Sequence, residues 1–172
     1  RRGGMAVYDR QEGFQRQIHN IENTPFRTKF ERDLEGFHGC SGIGCISDTD
    51  PQPLLVRSHL GLYAITTVGV ITNAEQLVDD FFADGAVQFM AQSSGKVNQT
   101  ELAAALINQK SSLPEGIQYA QEVIEGSLTL LILTADGIFA ARDRYGRLPV
   151  LIGRDPDGYC AAFESFAYRK LD

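Results

Sequence analysis

The sequence predicts an α+β fold, and three observations predict it. Strand-like apolar segments come first, two or three helical segments follow, and a block of hairpin-linked strands closes the chain. Strands and helices segregated in this way point to α+β rather than to alternating α/β. The 172 residues suit one domain with a sizeable core. With 43% hydrophobic and 22% charged residues, the composition is that of an ordinary folded protein.

The elements follow in order. Gly4–Asp9 reads as a strand entering a turn, and Phe14–Ile18 alternates apolar and polar residues like an exposed returning strand. Thr24-Pro25 predicts a helix entrance, with Thr24 as cap and Pro25 at the first helical position. Phe26, Phe30 and Leu34 then lie four apart on one face of a short helix that ends at Gly36–Gly39. Gly42–Ser47 is a strand rich in small residues, where glycines mark close approach of another backbone. Asp48-Thr49-Asp50-Pro51 is a solvated turn, Pro53–Val56 a strand, and Leu62–Val70 one or two more. Thr72 or Asn73 caps the next helix, with Glu75 placed for a capping box and Leu77, Val78, Phe81 and Phe82 as its apolar face. In the mixed stretch from 83 to 98, Phe89-Met90-Ala91 is apolar and Ser93-Ser94-Gly95-Lys96 is loop. Gln99-Thr100-Glu101 opens a second helix and Pro114 a third. Leu128–Leu133 is apolar throughout, as in a strand covered on both faces. Ala135-Asp136-Gly137 is a hairpin turn, and Ile138–Arg142 returns from it. Val150–Gly153 and Tyr159–Phe163 are strands on either side of the Asp155–Gly158 turn, and Glu164–Tyr168 begins a helix.

Charge and cysteine content exclude several function classes. A net charge of −6 repels phosphate backbones, so no nucleic-acid partner is expected. The 16 Lys and Arg are scattered, and Arg142, Arg144 and Arg147 form their densest group. No apolar run approaches the ~20 residues of a membrane helix, and no leader pattern is seen, so a cytoplasmic protein without a membrane partner is expected. Cys40, Cys45 and Cys160 have no zinc spacing and fit a reducing compartment; Cys40 and Cys45 read as small buried residues in or near a strand rather than as a redox pair. Asp48 and Asp50 lack a third ligand, so no metal and no cofactor are expected. His38 and His59 read as surface or capping residues rather than an acid–base pair.

An ordered series of segments carries a family resemblance. Gly4-Met5-Ala6-Val7-Tyr8-Asp9, Gly42-Ile43-Gly44, Gln52-Pro53, the run Val68–Leu77, Thr134–Gly137, Arg142-Asp143 with Gly146 and Pro149, and Glu164-Ser165 span nearly the whole chain. Together they resemble the class II glutamine amidotransferase domain of amidophosphoribosyltransferases, and Arg142-Asp143 matches a turn-shaping motif of that family. The resemblance implies an Ntn-hydrolase αββα sandwich of two antiparallel sheets. It also implies glutamine hydrolysis by an N-terminal cysteine whose own α-amine is the base. An asparagine side chain and a glycine N–H form the oxyanion hole, an arginine holds the substrate carboxylate and an aspartate its amine.

Residue by residue, the resemblance puts the arginine on Ser47, the asparagine on Val68, the glycine on Gly69 and the aspartate on Gln99. Serine has no charge with which to grip a carboxylate, and valine has no donor. Val68 reads as sheet packing that fills the former oxyanion hole. The three cysteines are mid-chain and lack a free amine, so no catalytic residue is assigned. Residues 1–172 are expected to be a single such domain lacking its native N-terminal strand and helix, roughly 20–30 residues.

The expected function is therefore that of a glutaminase fold in a purine-biosynthesis relative that no longer hydrolyses glutamine. It would serve structurally or in regulation beside a phosphoribosyltransferase domain following Asp172, in a homo-oligomer. One alternative is an active domain that supplies ammonia for phosphoribosylamine synthesis, with its cysteine upstream and Arg57 as carboxylate clamp. Another is a small-molecule binding module built on the altered pocket.

Overall fold

The computed structural model describes residues 1–85, 88–89 and 95–170. Its elements run β1 (Arg2–Asp9), β2 (Gly13–Asn20), α1 (Phe26–Gly36), β3 (Ser41–Ser47), β4 (Leu54–Ser58), β5 (Gly61–Ile71), α2 (Ala74–Ala83), α3 (Gln99–Ile107), α4 (Leu113–Val123), β6 (Gly126–Leu133), β7 (Ile138–Arg142), β8 (Leu151–Asp155) and β9 (Gly158–Ala162). A 3-10 turn, Ser165–Lys170, stands where the sequence predicts the start of a helix. Every strand pairing is antiparallel. One sheet has the order β2-β1-β3, a second β4-β5-β6-β7, and β8-β9 form a separate hairpin.

The layers follow from the two-residue period of a strand. On β5, Tyr63 and Ile65 point into the larger core together with Leu128, Leu130 and Ile132 of β6 and the buried faces of α2, α3 and α4. Ala64 and Leu133 point the other way, meeting Ala6 and Ile43 of the first sheet, with Tyr8, Phe14 and Leu131 around them. Strand β6 is thus covered on both faces, which is why its sequence is apolar without alternation. On the outer side of the first sheet, α1 lays Phe30 edge-on against His19 of β2 at 4.8 Å and stacks it on Phe26 at 4.2 Å. The result is helix, sheet, sheet, helices: the αββα sandwich that the resemblance implies. No helix among the described residues is long and apolar enough to cross a membrane.

Several local expectations are corrected. Pro25, not Thr24, holds the N-cap position of α1, and Leu34 is 51% exposed: a spacing of four drifts off the face of a helix with 3.6 residues per turn, and Asp33 meets the sheet instead, its carboxylate 2.5 Å from His19 Nε2. Of the one or two strands expected over Leu62–Val70 there is one, the 11-residue β5, in line with that reading. The capping box on α2 does not form. Asn73 is at the N-cap, but its amide donates to Val123 O at 2.9 Å and accepts from Glu125 N at 2.9 Å, tying α2 to the α4–β6 link. Phe82 faces solvent, whereas Leu77 and Val78 are buried. Helix α3 is capped by Asn98, whose side chain accepts from Glu101 N at 2.9 Å, and α4 by Ser112 with Pro114 in its first turn. The readings at Met90, Ala91, Ser93 and Ser94 lie outside the described residues.

Candidate functional site

The four positions singled out in the sequence line one cavity of about 550 Å³. Ser47 ends β3, Val68 and Gly69 lie in β5, and Gln99 opens α3, so three separated elements converge on it. Two contacts fix the geometry between β5 and α3. Thr67 and Thr100 hydroxyls meet at 2.6 Å in the buried interior, and Gln99 Oε1 accepts from Ile71 N at 3.0 Å. Val68 pairs with Thr129 and Gly69 with Leu128 of β6. Gly69 has φ +144°, and a Cβ there would stand 2.1 Å from Ser127 O, so this wall admits only glycine.

The wall beside Ser47 is acidic. Asp48 is exposed and ion-paired with Arg1 at 2.7 Å; the hydrogen bond from that guanidinium, followed by its charge, holds the Asp48 carboxyl below the usual range. Asp50 is only 3% exposed and faces the cavity, which corrects the reading of this segment as a solvated turn. Ser47 Oγ accepts from Thr49 N at 3.2 Å, a local turn bond natural to a short hydroxyl side chain. Gln52 completes the floor, and Lys96 supplies the single cationic side chain among the described lining residues.

Val68 is half-buried on the wall of the cavity, which is open beside it. Arg57, the alternative clamp, is exposed on β4 and does not line the cavity. His38 is exposed after α1, while His59 meets Lys110 O at 2.8 Å. Cys40 is exposed, against the expectation of burial, and Cys160 is exposed too. Cys45 is half-buried on β3, and burial pushes its thiol up to about 11. Among the described residues no three His, Cys, Asp or Glu side chains gather as metal ligands.

Sequence reasoning missed Asp50 and Gln52 as cavity residues. The only signal for Gln52 was its place in the Gln-Pro pair; nothing local marks Asp50 as buried.

A family model described as a glutamine amidotransferase domain matches residues 42–168. An amidophosphoribosyltransferase of Archaeoglobus fulgidus is 31% identical over 149 residues, covering 82% of this chain and 32% of that protein. An amidophosphoribosyltransferase of Methanocaldococcus jannaschii is 26% identical over 167 residues, covering 91% and 35%. The glutamine phosphoribosylpyrophosphate amidotransferase from B. subtilis, solved in complex with ADP and GMP, superposes with a TM-score of 0.80 at 25% identity, over 98% of this chain and 36% of that one. The chain thus spans about a third of the length of these relatives.

Proposed function

The chain belongs to the glutamine amidotransferase domain family, and from that premise we propose that it is the amidotransferase-like domain of an amidophosphoribosyltransferase relative whose glutamine site no longer works. The observation that carries this reading is a cavity without a guanidinium among its described lining residues: Ser47, itself buried, stands where the resemblance calls for arginine, with Asp48 and Asp50 following it along the wall. A glutamine carboxylate placed there would meet the Ser47 hydroxyl and the acidic Asp50 rather than a free bidentate partner, the nearby Arg1 guanidinium being engaged by Asp48. Val68 supplies no donor beside Gly69, and loss of one oxyanion donor alone costs about 2.7–4 kcal/mol of transition-state stabilisation. Gln99 is neutral where an aspartate would hold the substrate amine.

The remaining role is structural or regulatory, exercised on a phosphoribosyltransferase domain in the same polypeptide and within a homo-oligomer. The threefold greater length of the relatives supports such a further domain. Glutamate release from glutamine by the full-length protein tests this reading. We expect none above background. Glutamine-dependent release that a cysteine-directed glutamine analogue abolishes overturns it.

The open cavity supports a second reading, a small-molecule binding module. Val68, Val70, Val97 and Leu128 supply an apolar wall beside polar groups, the usual make-up of a ligand site. Stabilisation of the protein by a metabolite other than glutamine in a thermal-shift screen supports this reading over a purely structural one.

A further inference from the structure

We propose that the turn between β7 and β8 is a binding site for a small phosphate-bearing anion, separate from the cavity described above. Arg142, Arg144 and Arg147 are all exposed and converge on the two-residue tip Tyr145-Gly146. The Arg144 and Arg147 guanidinium carbons lie 4.6 Å and 4.4 Å from the centroid of the Tyr145 ring, and Arg144 Nη2 donates to the Tyr145 hydroxyl at 2.5 Å. The Arg142 guanidinium lies against Gly146, where an added Cβ would be 3.2 Å from its Cζ. Three guanidinium groups and a phenol therefore gather around the Tyr145-Gly146 tip.

The scaffold under them is built. Asp143 is 7% exposed; its Oδ1 accepts from Tyr145 N at 2.9 Å and its backbone carbonyl from Gly146 N at 2.9 Å. Gly146 takes φ +63°, which a residue with a Cβ rarely adopts. Gln121 of α4 holds Arg142 O at 2.5 Å, and the Arg147 guanidinium donates to Gly126 O. The turn is thus fixed from two neighbouring elements before any ligand arrives, which lowers the ordering cost of binding.

The charge is not balanced. Among the described residues, the only carboxylate within 4 Å of these arginines is Asp143, 3.6 Å from Arg147; neither Arg142 nor Arg144 has an acidic partner. This positive spot sits on a chain of net charge −6. Like charges gathered around one turn repel, and an anion bound there relieves that repulsion. Guanidinium forks match oxyanions bidentately, and a phosphate group offers acceptor atoms to several forks at once, whereas one carboxylate occupies one fork.

Inorganic phosphate is the probe. Calorimetric titration of the full-length protein, with hydrogen exchange followed in peptides covering residues 142–150, locates the binding. Arg144→Gln removes one guanidinium and leaves the Asp143, Gln121 and Gly126 anchors intact; Arg144→Lys keeps the charge without the fork. We expect phosphate to protect the 142–150 peptides, with an apparent affinity about tenfold weaker in Arg144→Gln, weakened less in Arg144→Lys, and falling with added sodium chloride. Phosphate that leaves these peptides unprotected, or protects them equally in Arg144→Gln, overturns the proposal. Protection by a polyglutamate peptide but not by phosphate overturns it in favour of an acidic polypeptide partner.

Discussion

Both ends of the Gln52 side-chain amide are bonded to the backbone of Thr67: Oε1 accepts from Thr67 N at 2.7 Å and Nε2 donates to Thr67 O at 3.1 Å. The register explains this pairing. Leu54 stands opposite Ile65, so a β4 strand extended backwards would set residue 52 opposite residue 67. The side-chain amide takes the place of the missing peptide group and carries the ladder past the end of the strand, at the floor of the cavity. Gln52→Leu leaves a buried N–H and a buried C=O of β5 without partners. The expected loss is about 2–4 kcal/mol, read from urea unfolding. A loss below 1 kcal/mol on the same scale means water replaces the amide.

Gly4 of β1 meets the same segment from the other sheet. A Cβ on Gly4 would fall 1.6 Å from Gln52 O, a position already occupied, whereas one on Gly44 of the neighbouring β3 would find its nearest atom, Gly4 O, at an ordinary 3.5 Å. Gly4→Ala is therefore expected to destabilise the fold by about 3 kcal/mol, and Gly44→Ala by less than about 0.5 kcal/mol. Equal midpoints for the two variants in thermal unfolding contradict the close sheet-to-sheet approach.

Tyr63 links pH to stability. Its ring is about 1% exposed, and burial pushes the phenol up to about 12 despite the opposing hydrogen bond to Asn108 Oδ1 at 3.1 Å. The folded state thus holds its proton above the unfolded pKa of about 10. The stabilisation is complete below pH ~10 and is lost as pH rises through ~12, because the folded state binds the extra proton in that window. Unfolding midpoints followed from pH 9 to 12 are expected to fall more steeply in wild type than in Tyr63→Phe.

The cysteines should separate by reactivity. With its thiol at about 11 against the 9.0 of an ordinary site, Cys45 carries about a hundredfold less thiolate at pH 8. Exposed Cys40 and Cys160 are expected to alkylate with iodoacetamide well before Cys45, as read by peptide mass spectrometry. Equal rates at the three sites show that β3 opens readily.

Much of the fold was readable because periodicity is local. Leu128–Leu133, the Asp136-Gly137 turn and the helix openings near Gln99 and Pro114 are legible from neighbours in the chain. The failures have a common cause. Leu34 fits a helical stripe, yet it is Asp33 that α1 turns toward the sheet, bonded to His19, and Asn73 has the right chemistry for a cap but spends its amide on the α4–β6 link. Asp50 sits in a polar turn that any sequence rule assigns to solvent, and only the convergence of β3, β5 and α3 buries it.

By itself the sequence determined the order and kind of the elements, the family, and the replacement of arginine and asparagine by Ser47 and Val68. These follow from side-chain chemistry and spacing along the chain. The tertiary structure decided that positions as far apart as Ser47 and Gln99 share one cavity, that this cavity stays open, and that its walls carry Asp50 and Gln52. Burial and pairing depend on what lies across space, and neither the alternation of a strand nor the stripe of a helix records which other surface will cover it.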